Sequence, residues 1–531
     1  LPCRWRMPMA NPWVPFRSPC GCSRELCASS PSLEGMSTPA ERYAAARQRS
    51  ERNRQMGPLA GELEEFTARL DFSLDEFQQQ SCEHLASGRD VLVAAPTGAG
   101  KTVVGEFAVH LGLSQGRKTF YTTPIKALSN QKYAELAAAH GSDRVGLLTG
   151  DVSINSDAAV VVMTTEVLRN MIYASSTTLD ELGYVVMDEV HYLADAFRGP
   201  VWEEVILLLS HEVRLVSLSA TVSNAEEFGA WLSEVRGETA VVVSEIRPVP
   251  LWQHMMVRHE ILDLYTSHVD PTNPGANPPV NPDLLEAVRR AERTTDSGGG
   301  RPARGRNGRE RSRGHQGGGA RGGIRPPRRD VVVERLDAAG LLPAIVFIFS
   351  RAGCEAAVDQ VLAAGTRLTT EAERREIATI LEPFSERIPA EDLHAVNYSA
   401  FASAALRGVA SHHAGMLPVF KEAVEALFVR GLIKVVFATE TLALGINMPA
   451  RSVVIERLIK WDGREHAAVT PGQYTQLTGR AGRRGIDVEG HAVVLYGSGV
   501  DPLAVAGLAS RRTYPLRSSF RPTYNMAVNL L

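Results

Sequence analysis

From Leu70 to about Val243, short runs that are apolar nearly throughout alternate with longer mixed stretches. VLVAA (91–95), KTFYTT (118–123), VGLLT (145–149), VVVMTT (160–165), YVVMD (184–188), VRLVSLSA (213–220) and AVVVS (240–244) have the length and β-branched content of strands. Apolar on both faces, they predict parallel strands covered on each side. TVVGEFAVHLGL and LSNQKYAELAAAH read as the helices between them. Such alternation predicts a doubly wound α/β domain. PAIVFIFS, KVVFATE, SVVIE and HAVVLYG repeat the pattern over roughly 331–500 and predict a second α/β lobe.

The expected organisation is a disordered or helical leader over 1–60, a first α/β domain over 61–240, and a second over 241–505. A disordered insertion at about 268–330 interrupts the second domain. Residues 270–283 (DPTNPGANPPVNPD) are rich in Pro and Asn, and residues 297–329 carry eleven glycines. Such a composition buries too little apolar surface to order itself.

Charge sharpens this picture. The net formal charge of the 531 residues is −3, yet 297–329 hold ten arginines against one acid, Glu310. That local +9 leaves −12 for the remainder, since −3 minus 9 is −12. The segment reads as an electrostatic arm for RNA, with a solvated spacer as the bland alternative. Four of the six cysteines (Cys3, Cys20, Cys22, Cys27) crowd the first 27 residues without the spacing of a zinc knuckle, and only Cys82 and Cys354 lie in the body. That usage fits a reducing cytoplasm better than a disulfide framework. The first 35 residues read as an unstructured leader or a start-site artefact ahead of Met36. The longest strongly apolar run, LLPAIVFIF, is far too short to span a bilayer, so a soluble cytoplasmic protein is expected, with no membrane partner.

The candidate chemistry begins where the strand VLVAA runs into PTGAGKT (96–102). A glycine-rich turn between a strand and a helix directs backbone N–H groups and the positive helix end at phosphates. Ala95, Pro96, Thr97, Gly98, Ala99, Gly100, Lys101 and Thr102 form this candidate cradle. Lys101 would reach the β- and γ-phosphates, and Thr102 would hold Mg²⁺. Ala95 stands where the strict pattern has glycine, which is tolerable if its φ is negative. A second strand ends in MDEVH (187–191), placing Asp188 to hold Mg²⁺ and Glu189 to orient or deprotonate water. Two adjacent carboxylates at a strand end are costly without a cation between them. Together the two signals predict an ATP and Mg²⁺ site.

MDEVH is a DExH box, and the ordered motif set resembles the superkiller (Ski-like) DExH-box RNA helicases of superfamily two, in their actinobacterial HelY-type branch. The resemblance runs from about Phe72 to the last residue. It rests on FSLDEFQQQ (72–80), TTPIKALSNQK (122–132), TGD (149–151), MTTEVLRNM (163–171), RGPVWEE (198–204) and LSAT (218–221). In the second lobe it rests on FSRAGCE (349–355), HHAGMLP (412–418), FATETLALGINMP (437–449) and QLTGRAGRRG (476–485). It implies two tandem RecA-like domains of the P-loop NTPase class. Residues 506–531 resemble the start of a winged-helix region whose remainder is expected beyond Leu531.

The resemblance implies roles residue by residue. Gln78 reads adenine, and Gly445 and Asn447 touch the nucleotide from the second lobe. Arg480 and Arg483 supply cations to the transferring phosphoryl group, with Gln476 beside them, while Arg484 reads as a surface or salt-bridge residue. His191, Ser219 and Thr221 couple the phosphate state to nucleic acid. Lys126, Thr164, Thr165, Arg169, Arg351 and Thr439 lie at strand ends or first helical turns, where hydroxyls and N–H groups suit phosphate oxygens. His412 and His413 read as structural or coupling residues. The expected activity is ATP-driven 3′ to 5′ movement on, and unwinding of, single-stranded or tailed duplex RNA. An ATP-gated RNA clamp without processive unwinding, or a DNA helicase of the same superfamily, remains the alternative, because 2′-OH contacts leave no mark in one sequence. Protein partners have no sequence signal.

Overall fold

The computed structural model describes residues 59–195, 198–270, 275, 278–297, 324–443, 448–461, 465–511, 515–520, 524, 526 and 528. The expected leader, most of the Gly/Arg segment, and Gly445 and Asn447 lie outside the described residues.

The first lobe is an eight-stranded sheet: β1 (Asp90–Ala94), β2 (Lys118–Thr123), β3 (Val145–Leu148), β4 (Ser153–Ile154), β5 (Val160–Thr164), β6 (Leu182–Met187), β7 (Arg214–Ser219) and β8 (Thr239–Val243). Their spatial order is β4-β3-β5-β2-β6-β7-β1-β8. Only the short β4 pairs antiparallel, on β3. Every expected strand of this lobe forms, and β1, β5 and β6 are buried along their whole length. Alternation within β2 shows why both faces had to be apolar. Tyr121 packs into the core under helix Thr102–Gln115, while Phe120 joins Trp202 and Met163 on the opposite face.

The second lobe is a seven-stranded sheet of β9 (Leu251–Val257), β10 (Glu260–Asp263), β11 (Ala344–Phe347), β12 (Val409–His412), β13 (Val435–Ala438), β14 (Ser452–Ile455) and β17 (Gly490–Leu495). The order is β10-β9-β17-β14-β11-β13-β12, parallel except for β10 on β9. A separate hairpin pairs β15 (Ile459–Trp461) with β16 (His466–Ala468). The two sheets are the tandem RecA-like pair that the motif order implies.

Three sheet strands here escaped the sequence pattern. LWQHMMV (β9) interrupts its apolar run with Gln253 and His254, β10 is short and edge-placed, and VASH (β12) is only four residues long. The expected disorder of 268–330 also needs correction. Residues Pro282–Ser297 form a helix that buries Leu284, Ala287, Val288 and Ala291 in the second-lobe core. Those four positions recur at helical spacing, so this part of the insertion has a hydrophobic face to pack.

The consequence for function is an edge. The turn 96–101 follows β1, Lys126 follows β2, Thr165 follows β5, Asp188 follows β6 and Thr221 follows β7. In the second lobe Arg351 follows β11 and Thr439 follows β13. All lie at carboxyl ends of parallel strands, where open α/β sheets bind their ligands.

Candidate nucleotide site and nucleic-acid interface

Gly98 and Gly100 hold the turn after β1 at φ +82° and +88°, conformations that L side chains rarely adopt. A Cβ on Gly100 would stand 2.8 Å from Gln78 Nε2 and 3.0 Å from an Arg484 guanidinium nitrogen. Ala95 is not among the residues with positive φ, which explains why alanine suffices there. Lys101, 9% exposed, donates from Nζ to the carbonyls of Ala95 (2.8 Å) and Pro96 (3.1 Å). Burial lowers its pKa from the usual lysine value, against the opposing pull of Glu189 and Asp188. Helix Thr102–Gln115 then starts at Thr102, beside the candidate phosphate position.

Across from the loop, Asp188 and Glu189 follow directly on β6. Asp188 Oδ2 accepts from the Tyr121 hydroxyl at 3.1 Å, and Oδ1 accepts from the Glu189 amide at 2.9 Å. Burial, reinforced by the neighbouring Glu189 charge, pushes the Asp188 carboxyl up to about 6. Burial pushes Glu189 up as well, but His191, Lys101 and Arg480 outweigh it and hold that carboxyl below its ordinary value. Glu189 sits in the left-handed region at φ +54°, a strained setting for a residue with a side chain. The result is an acid pair, Asp188 buried and Glu189 partly so, with divided protonation: Asp188 is poised to exchange a proton for a cation, while Glu189 stays ionised.

These observations fit a magnesium nucleotide. The loop supplies positive-φ glycines and a buried ammonium. The acid pair carries an electrostatic strain that a divalent ion relieves. Lys101, Thr102 and the 97–101 amides would hold the phosphates, and Asp188 and Thr102 the metal. Bound there, such a nucleotide brings the scissile phosphoryl bond. Glu189, ionised and facing the same space, can accept a proton from water at its carboxylate.

The second lobe closes on this site through helix Pro471–Thr478 and the turn after it. The Gln476 side-chain amide lies 2.8 Å from His191 Nε2. A Cβ on Gly479 would stand 3.1 Å from Thr97 Cβ, so the loop tip meets this turn closely. The Arg480 guanidinium is partly buried, bonds the Ala443 carbonyl at 3.2 Å, and is felt by both Glu189 and Asp188. Burial lowers its pKa, which those acids counter. Arg483 behaves otherwise. Its guanidinium grips Asp487 with two bonds of 2.7 and 2.8 Å on its own lobe, and in this structure it does not face the loop.

Arg484, expected as a surface or salt-bridge residue, does form a salt bridge and also crosses to the loop. It donates to the Ala99 carbonyl at 2.7 Å and pairs with Asp75 at 2.9–3.0 Å. Asp75 caps helix Glu76–Ala86, and its amide donates to Gln78 Oε1 at 2.9 Å while Gln78 Nε2 donates to the Gly100 carbonyl at 2.9 Å. Gln78, with both ends of its amide engaged, binds the loop to its own helix rather than presenting an open edge to adenine. Asp75 was missed because its only signal was that of a helix-capping acid, and the reach of Arg484 to the loop because it is the second of two adjacent arginines.

The residues expected to couple meet at one imidazole. His191 Nδ1 accepts from the Ala220 amide at 3.2 Å and lies 3.4 Å from Glu189 Oε2. That bond comes from the backbone amide between Ser219 and Thr221. Ser219 Oγ is buried and has no hydrogen-bond partner among the described residues.

The expected nucleic-acid residues divide. Lys126 Nζ pairs with Asp151 at 2.8 Å, joining the start of its helix to TGD, and both side chains are more than half exposed. Arg169 lies within 3.3 Å of Asn170 Oδ1 and 3.6 Å from the buried Glu204. Arg351 opens its helix exposed, and the Thr439 hydroxyl bonds that of Thr441 at 2.9 Å. Thr164 and Thr165 are buried, and the Thr165 hydroxyl turns inward to the Thr123 carbonyl at 3.4 Å. Their side chains therefore do not reach the surface as expected. The hairpin β15–β16 was not foreseen; its Ile459 and Trp461 are 53% and 56% exposed, and three residues on one short strand gave no periodicity to read.

Comparison with known proteins decides the family. The DEAD/DEAH box helicase family matches residues 75–228, and the family described as helicase conserved C-terminal domain matches residues 380–485. The probable helicase HelY of Mycobacterium tuberculosis is 59% identical over 473 residues, covering 88% of this chain and 50% of that protein. The chain belongs to the DExH-box helicases. A chloroplastic DExH-box ATP-dependent RNA helicase of Arabidopsis thaliana is 40% identical, over 90% of this chain and 42% of its own length. The antiviral helicase SKI2 of Saccharomyces cerevisiae is 39% identical, over 87% of the chain and 38% of its length. This DExH-box chain thus spans about half, or less, of the curated relatives it matches. Among its described residues no helix is long and apolar enough to cross a membrane.

Proposed function

We propose that this chain hydrolyses ATP with Mg²⁺ and uses the cycle to move 3′ to 5′ along RNA and unwind it. The observation that carries the reading is the split site. Lys101, Asp188 and Glu189 stand on one lobe, and Gln476, Arg480 and Arg484 reach the same space from the other. Hydrolysis then requires the lobes to be together, and a nucleotide whose presence governs closure is a motor's clamp. An arginine supplied to a transferring phosphoryl group is worth on the order of 10³–10⁵ in rate. Lys126, Arg169, Arg351 and Thr439 offer sequence-tolerant backbone contacts along the same carboxyl edge. Trp461 offers a face for a base to stack on. RNA as the polymer is supported by the printed names of the Arabidopsis relative and of the RNA helicase mtr4 of Schizosaccharomyces pombe. Buried free thiols at Cys82 and Cys354 fit a reducing cytoplasm.

The test is strand displacement from duplexes carrying a 3′ or a 5′ tail, in RNA and in DNA, with ATP and Mg²⁺. The reading expects displacement of 3′-tailed RNA. Hydrolysis without displacement from any duplex would convert the motor into an ATP-gated clamp. Displacement of DNA alone would change the polymer.

A further inference from the structure

RGPVWEE belongs to no step above, yet the structure gives it a partner. Helix Pro502–Ser510 buries Val505 and Ala506 in the second-lobe core, whereas Leu516, a few residues on, is buried in the first-lobe core with Trp202 and Phe228. The chain therefore returns to the first lobe after completing the second. There it is fastened at four points. The Leu516 amide donates to Asn224 Oδ1 at 2.7 Å, and its carbonyl accepts from Asn224 Nδ2 at 2.9 Å. The Ser518 hydroxyl bonds the Glu203 carboxylate at 2.9 Å, and the Ser519 hydroxyl donates to the Leu193 carbonyl at 2.8 Å.

These anchors are not scattered. Leu193 lies just past His191, and Asn224 just past Thr221. Glu203 and Gly199 sit on helix Gly199–Leu208, within RGPVWEE. Gly199 is needed for the approach, since a Cβ there would fall 2.0 Å from Ser519 Oγ and 2.1 Å from the Leu193 carbonyl oxygen. Glu203 is 5% exposed, and the Ser518 hydroxyl that reaches it also accepts from the Phe520 amide at 3.1 Å. Burial raises its pKa, and the hydrogen bond from Ser518 counters the rise. A carboxylate so buried is satisfied by the crossing segment and is left short of donors when it leaves.

We propose that residues 515–520 form a strap transmitting lobe movement to the two segments that meet at His191, with Glu203, Asn224 and Ser518 as its positioning residues. The strap rests on the ATP-driven reading above. Lobe separation pulls on the chain end of the second lobe. Because Leu516 and Ser519 are bonded next to LSAT and MDEVH, the pull reaches both. RGPVWEE is then a docking site for this chain's own segment.

The experiment compares the unaltered chain with Ser518→Ala, Glu203→Ala, their double variant and Glu203→Gln. It measures ATP turnover without and with single-stranded RNA, and the melting temperature. We expect turnover without RNA to be retained in all four. RNA-stimulated kcat should fall about fivefold or more in Ser518→Ala and Glu203→Ala, the lower range of couplings between sites. The double variant should fall no further than the worse single one, because both remove the same contact. Glu203→Gln keeps an oxygen that accepts from the Ser518 hydroxyl and should recover most of the stimulation. Equal losses with and without RNA, or stimulation unchanged in the single variants, would overturn the strap while leaving the ATP reading in place. No stimulation by RNA in the unaltered chain would instead remove the functional reading, and the strap with it.

Discussion

His191 of the first lobe and Gln476 of the second lie 2.8 Å apart, while the other nitrogen of the same imidazole accepts from the Ala220 amide. An N–H can only donate, so Nδ1 must be the unprotonated nitrogen and Nε2 the one that carries hydrogen. Burial, the largest influence, lowers the pKa of this ring and keeps it neutral. The Gln476 atom set 2.8 Å from Nε2 is the amide nitrogen, so the hydrogen-bond network requires the amide to be turned end for end, presenting its oxygen to Nε2. One neutral imidazole thereby links the acid box, LSAT and the opposite lobe.

Gln476→Leu removes the acceptor and keeps the volume. A typical hydrogen bond contributes about 0.5–1.5 kcal/mol, which corresponds to roughly two- to tenfold in rate. We expect kcat for ATP to fall by that amount with nucleotide affinity nearly unchanged. Steady-state turnover beside a fluorescent-nucleotide titration checks it. A loss confined to affinity would place Gln476 in nucleotide binding instead.

The arginines should rank by where they point. Arg480, close to the acid pair, should show the largest loss in kcat/KM on change to Ala. Arg484→Ala should follow, since it loses both Ala99 and Asp75. Arg483→Ala breaks the fork with Asp487 and should lower the melting temperature more than turnover. A severe turnover defect in Arg483→Ala with unchanged melting would mean that the lobes rearrange in the cycle and bring Arg483 to the phosphates.

Lys101→Ala should abolish ATP hydrolysis while leaving the fold intact, because among the described residues the ammonium bonds only the loop's own Ala95 and Pro96 carbonyls. Retained turnover would remove the phosphate-cradle assignment.

The strands of the first lobe were legible because sheets covered on both faces must be apolar at every position, as β1, β5 and β6 are. The loop and the acid box were legible for a different reason: their chemistry requires glycines, an ammonium and carboxylates at strand ends. Direction was not legible. GRAGRRG offers three arginines, and only packing shows that Arg484 crosses to Ala99 while Arg483 turns back to Asp487, four residues away on its own lobe. The same limit applied to Thr165, whose hydroxyl could face solvent or the Thr123 carbonyl with an unchanged sequence. The helix Pro282–Ser297 was obscured by its surroundings, because prolines before it and glycines after it outweighed the periodicity of Leu284, Val288 and Ala291.

Acid should weaken nucleotide capture through Asp188. Its carboxyl is raised to about 6 by burial and by Glu189, so below that pH a divalent ion must displace a proton to bind. The stability of the ligand-free fold depends on pH in the opposite sense. The folded value lies above the ordinary 3.8, so the ligand-free fold is favoured by this group at low pH and loses that contribution as pH rises through about 6. Mg²⁺–nucleotide affinity should therefore decline by up to about tenfold per pH unit below 6 and level off above it. Glu189, held below its usual value, stays ionised over this window and adds no slope of its own. Titrating a nonhydrolysable nucleotide between pH 5 and 8, for the unaltered chain and for Asp188→Asn, checks this. The variant should bind more weakly throughout and show a flatter profile, and an equally steep decline in Asp188→Asn would transfer the proton to another group.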